Sequence, residues 1–103
     1  MAQIIRGTTP TIEFTFSQID VSNLMAAIMT IKQSGEIVIE KDLSDAEVGE
    51  ASVAWELTQA ECLELVAGNC RIMLNWLLND ETRGASNEYS VDIVPNHIAE
   101  VIT

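Results

Sequence analysis

Apolar side chains return at every second position in one stretch after another of this sequence, a spacing that fits extended strands with two unlike faces and does not fit helices. Ile12, Phe14 and Phe16 share one face of such a stretch, and Thr11, Glu13, Thr15 and Ser17 share the other. Before it, Gln3-Ile4-Ile5-Arg6 reads as a short first strand interrupted by Gly7 and Pro10, which places it at a sheet edge or at a crossover between sheets. From Leu24 to Gln33 a longer strand sets Met25, Ala27, Met29 and Ile31 against Leu24, Ala26, Ile28 and Thr30. Ser34-Gly35 supplies a tight turn, and Ile37 to Lys41 returns as the hairpin partner.

Asp42 to Glu50 is rich in Asp, Glu, Ser and Gly without a sustained period and reads as a surface loop. Ser52 to Leu57 is a strand with Val53, Trp55 and Leu57 inward. The period changes at Thr58, because Thr58 and Glu61 have the spacing of a capping box and Leu57 can staple against Cys62. A turn or two of helix follows, with Cys62, Leu65 and Val66 on one stripe and Gly68 at its end. Cys70 to Asn79 is a long strand with Cys70, Ile72, Leu74, Trp76 and Leu78 inward, and 79–84 reverses the chain. The last strand runs from Asn87 to Val94, with Tyr89, Val91 and Ile93 on one face, until Pro95 stops it. About seven short strands, with one short helix before the penultimate strand, predict an all-β fold: a single immunoglobulin-like β-sandwich domain over residues 1–103.

A chain of 103 residues has material for one modest core, not for a core and a deep walled cleft. Its apolar fraction of 48% is high enough to support folding. The formal charge of -11 repels phosphate backbones and anionic lipid, so neither nucleic acid nor membrane is an expected partner. The apolar runs fall short of the roughly 20 residues that span a bilayer. The opening Met1-Ala2-Gln3-Ile4-Ile5-Arg6-Gly7 does not read as a signal peptide, and synthesis in the cytoplasm is the expectation. Cys62 and Cys70 read as buried free thiols.

Candidate chemistry is sparse. With one histidine, His97, next to the chain end, neither a zinc set nor a nucleophile and base pair can be assembled. Glu40, Asp42, Asp45, Glu47 and Glu50 lack the repeating spacing of a calcium loop and read as a solvated acidic segment. Trp55 and Trp76 fall on inward positions and read as core. The expectation is therefore a protein that is not an enzyme, with no catalytic residues, no cofactor and no metal. The informative feature is the second face of the strands, where Leu24, Ile28, Val38, Met73 and Leu77 occupy positions a solvated sheet would fill with polar groups. Leu24, Ile28, Met73 and Leu77 are the candidate interface, toward further copies of the chain or toward other proteins.

Three segments carry a family resemblance: Arg6-Gly7-Thr8-Thr9-Pro10-Thr11-Ile12-Glu13-Phe14-Thr15-Phe16, then Thr30-Ile31-Lys32-Gln33-Ser34-Gly35 with Ile39-Glu40-Lys41-Asp42-Leu43, then Asn75-Trp76-Leu77-Leu78-Asn79-Asp80. They resemble small prophage-encoded proteins of Gram-positive gut bacteria, and in layout the chain is similar to the N-terminal domain of the baseplate upper protein of Gram-positive phages. The resemblance implies an immunoglobulin-like fold, a location in the virion after assembly in the bacterial host cytoplasm, and other tail or baseplate proteins as partners. Asp80-Glu81 stands where that pattern has an Asp-Gly turn. The alternative expectation is a carbohydrate- or cell-surface-binding β-sandwich module.

Overall fold

The computed structural model describes residues 3–17 and 19–97. Its strands are β1 (Gln3–Ile5), β2 (Thr11–Thr15), β3 (Leu24–Gln33), β4 (Glu36–Asp42), β5 (Glu47–Val48), β6 (Ser52–Glu56), β7 (Gly68–Leu78), β8 (Arg83–Ala85) and β9 (Tyr89–Val94), with a helix α1 (Gln59–Leu63) between β6 and β7. They form two sheets, one in the order β1-β9-β7-β3-β4 with β8 also paired to β7, the other β2-β6-β5. This is a two-layer immunoglobulin-like sandwich. Gly7 and Pro10 separate β1 from β2, and the chain does cross there from one sheet to the other: β1 pairs in parallel with β9, while β2 pairs antiparallel with β6.

The inner faces of the two sheets meet in a core whose fully buried members include Met29, Ile31, Val53, Trp55, Leu57, Cys62, Leu65, Cys70 and Leu74. The β3–β4 hairpin turns through Ser34 and Gly35, both at positive φ (54° and 80°), the backbone that matches the twist of the flanking strands. Helix α1 opens with the full capping box, Thr58 Oγ1 accepting from the Glu61 N–H and the Glu61 carboxylate accepting from the Thr58 N–H. At its other end Arg6 donates to the Leu63 and Leu65 carbonyls at 2.7 and 2.6 Å. The buried Gln33 amide donates to the Val66 carbonyl and accepts from the Val66 N–H, tying the helix exit to the hairpin.

Several local expectations are corrected. A bulge between Leu24 and Ala26 inserts one residue, so Leu24 pairs with Leu78 and packs against the core while Met25 is left 61% exposed. A second irregularity, at Ile31/Lys32, leaves Val38 between the pairs Ile31–Ile39 and Lys32–Ile37, and Val38 too packs against the core. Because α1 stops at Leu63, Val66 no longer follows helical spacing and lies in solvent. Gly68 opens β7 instead of ending the helix. Within 42–50 a 3-10 turn (Leu43–Asp45) and β5 form, and β8 forms within the expected reversal after β7. Tyr89 begins the last strand but is half exposed, for a reason that defines the candidate site.

Candidate functional site

The two sheets are unequal in width. On one side of β7 its length is shared, β9 pairing with Gly68 to Ile72 and β8 with Asn75 to Leu77, so the larger sheet is five strand positions wide against three in the smaller. With neighbouring strands about 4.8 Å apart, the smaller sheet leaves roughly two positions uncovered. The uncovered strip lies beside β2, where the layers part into a lateral cleft of about 1320 Å³ lined by β2 and by residues of β1, β7, β8 and β9.

The sequence places its aromatic rings there. Ile12, Phe14 and Phe16 face the core side of β2 as alternation requires, yet all three are only half-buried. Phe14 meets the buried Trp55 edge-on (6.3 Å between centroids, 78°) and Tyr89 in a tilted contact at 6.1 Å. Phe16 stands perpendicular to the half-buried Trp76 at 5.3 Å. Trp76 pairs across strands with Gly84, and a Cβ on Gly84 would lie about 2.5 Å from the indole, so the absent side chain is what lets the ring settle. Phe14, Phe16, Trp76 and Tyr89 all line the cleft, and of the aromatic residues only Trp55 does not; its indole N–H donates instead to the Asp42 carbonyl at 2.9 Å.

Among the described residues the ionisable side chains lining the cleft are Glu13 and Tyr89, and Glu13 sits on the outward-facing parity of β2. Among the described residues Glu13 therefore has no second carboxylate in the cleft lining to pair with. The shifted acids lie elsewhere. The Asp20, Asp42 and Asp80 carboxyls are lowered by the Ser22, Ser44 and Thr82 groups that donate to them in exposed turns. Burial works against ionisation of Glu61, but the Lys41 ammonium at 2.8 Å and the Thr58 N–H outweigh it and hold the carboxyl below its ordinary value. Among the described residues no group of His, Cys, Asp and Glu is placed to hold a metal ion.

The four residues expected at an interface separate. Ile28, Met73 and Leu77 stand on the outer face of the larger sheet, Ile28 opposite Asp42 and Asn75, Met73 opposite Thr30, Leu77 opposite Ala26. Ile28 is 38% exposed and the other two are half-buried; Leu24 is turned to the core side by the bulge. The cleft itself was not foreseen. Alternation gives Phe14, Phe16 and Tyr89 a common face on their strands and places Trp76 inward, but which sheet each strand joins, and hence the cleft, is set by long-range pairing that one sequence does not display.

The sequence matches no family model and no curated protein. Solved structures similar to it include CopC from Methylosinus trichosporium OB3b, at 16% identity and a TM-score of 0.62 over 94% of this chain and 86% of that one. A Bacteroides vulgatus ATCC 8482 protein assigned as a glycoside hydrolase is similar at 11% identity and TM-score 0.56, over 93% of this chain but 17% of that one. The immunoglobulin-like domain of mouse Leukocyte-associated immunoglobulin-like receptor 1 gives 14% identity and TM-score 0.49, covering 89% and 85%. At such identities the likeness is one of fold.

Proposed function

We propose that the chain is a non-enzymatic structural module that works by contact with other proteins, in the tail or baseplate of a phage or prophage particle. The observation that carries the contact role is the cleft beside β2, where four aromatic rings share the lining with polar groups and, among the described residues, no acid and base converge. The particle location rests on the sequence resemblance alone. Inducing the encoding strain, banding the particles on a density gradient and identifying their proteins by mass spectrometry tests it: the chain is expected in the particle band, and its confinement to the soluble fraction overturns the virion reading.

Ile28, Met73 and Leu77 are the proposed second contact, toward a further copy of the chain or a neighbouring virion protein. Charged substitutions at all three are expected to lower incorporation into particles while leaving the fold intact by circular dichroism. Normal assembly would remove this face from the proposal.

A second reading, a carbohydrate- or cell-surface-binding module, draws on Tyr89, 51% exposed at the cleft, with the polar Ser17, Ser86 and Asn87 also lining it. Weighing against it, the Trp76 indole is held by Gly84 on one side and the Phe16 edge on another, which limits ring area for a sugar to stack on. A glycan array with Trp76→Ala as control separates the readings; a ring-dependent glycan signal favours this one.

A further inference from the structure

Resting on the contact-module reading, we infer that the cleft receives an extended strand of a partner protein, added to the free edge of β2, with alternate side chains apolar toward the cleft and basic toward solvent. The backbone of β2 supplies the first half of the argument. The Pro10 carbonyl accepts from the Leu57 N–H at 2.9 Å and the Phe16 N–H donates to the Ala51 carbonyl at 2.7 Å, so the even-numbered residues bond toward β6. By the two-residue alternation of an antiparallel ladder, the N–H and C=O groups of Thr11, Glu13 and Thr15 point the other way, where no strand among the described residues pairs with them. That row is a template for strand addition.

The cleft supplies the second half. A strand laid against this edge turns every other side chain inward over Ile4, Tyr89 and Val91 at one end and Trp76 at the other. At about 1320 Å³ the space exceeds the ~300–1,000 Å³ that small ligands occupy, as an extended segment requires.

The outward side chains are specified by charge. Thr11, Glu13 and Thr15 face solvent beside Glu56, which pairs with Thr11, and β5 adds Glu47; none of these three strands contains Lys or Arg. Basic residues on the incoming strand meet this acidic face directly. A second copy's β2, paired antiparallel about its centre, would set Glu13 against Glu13, and like charges directly opposite oppose pairing. The chain's own Ile98-Ala99-Glu100-Val101-Ile102-Thr103 brings an acid and no base.

The test adds a synthetic peptide of alternating valine and lysine, about seven residues long to cover β2 and one residue beyond each end, to the full chain and follows amide exchange by NMR. Exchange at Thr11, Glu13 and Thr15 is expected to slow about tenfold or more, with a change in Trp76 fluorescence. Replacing lysine by glutamate, or N-methylating the peptide along the edge that faces β2, should abolish the effect; both changes leave the protein itself untouched. A fluorescence change without slowed exchange at those amides would mean that the cleft binds but not by strand addition, overturning this inference and sparing the contact-module reading. Equal binding of the glutamate peptide, or no binding at all, also overturns it, and the particle-band experiment judges the broader reading separately. So do edge amides already slow in the free chain: protection lost on removing residues 98–103 would assign the edge to the chain's own end, and protection rising with protein concentration would assign it to a second copy.

Discussion

Cys70 is fully buried on the inner face of β7, and burial foremost, with the charge of Asp92 and then Cys62 adding to it, pushes its thiol up to about 11 from an ordinary 9.0. The folded state thus favours the neutral thiol. Its stabilising contribution is complete below pH 9.0 and is lost as pH rises through about 11. The urea midpoint of unfolding is expected to decline across that window, and to decline less in Cys70→Ala; parallel curves for the two proteins would show that the thiol plays no part. Glu81 offers a different residue-scale test. It sits in the turn after β7 with φ of 69°, the left-handed backbone that favours glycine. A side chain in the left-handed region costs about 1–2 kcal/mol, partly offset by the entropy glycine loses on folding. Glu81→Gly is therefore expected to stabilise the protein by about 0.5–1 kcal/mol, read as a higher urea midpoint; a lower one would show that the carboxylate contributes something the backbone argument omits.

Strand β7 joins the core to the cleft. Cys70, Ile72 and Leu74 are buried between the sheets, and two residues further on the same face Trp76 is only half-buried, because it lines the cleft beside Phe16. Alternation alone made that face legible, as it did for β6 with Val53 and Trp55, and the Thr58–Glu61 spacing was enough to place α1. What alternation could not supply was the inserted residue in β3, since a bulge changes no composition and yet exchanges Leu24 and Met25 between core and solvent. The Trp76–Gly84 pair makes the β7–β8 packing testable. Gly84→Ala puts a methyl group about 2.5 Å from Cε2 and Cζ2 of the indole, which can yield only by leaving its perpendicular contact with Phe16. The expected cost is about 1–3 kcal/mol, with altered tryptophan emission arising from Trp76, since Trp55 sits in the closed core. Unchanged emission and stability would mean that β8 shifts away instead.

At the scale of the whole molecule, the departure from a closed sandwich lies in pairing, which a single sequence does not display. The longer strands showed most of their faces by alternation, but which sheet each joined depended on long-range partners, and the division into five positions against three followed from that. The consequence is an uneven distribution of stability. β3 and β7 are each flanked on both sides and carry Met29, Ile31 and Leu74 with no exposed surface, whereas among the described residues β2 pairs on one side only and its Ile12 and Phe14 reach the cleft half-covered. Local opening costs least where fewest apolar contacts and shared hydrogen bonds must be given up. In the free chain the β6-bonded amides of Ile12 and Phe14 are expected to exchange at least about tenfold faster than those of Met29, Ile31, Ile72 and Leu74, which open only with the whole domain. Equal protection across all of them would mean that the smaller sheet unfolds only with the larger one, and that the cleft is a rigid feature of a fully cooperative domain, not the edge of its least stable layer.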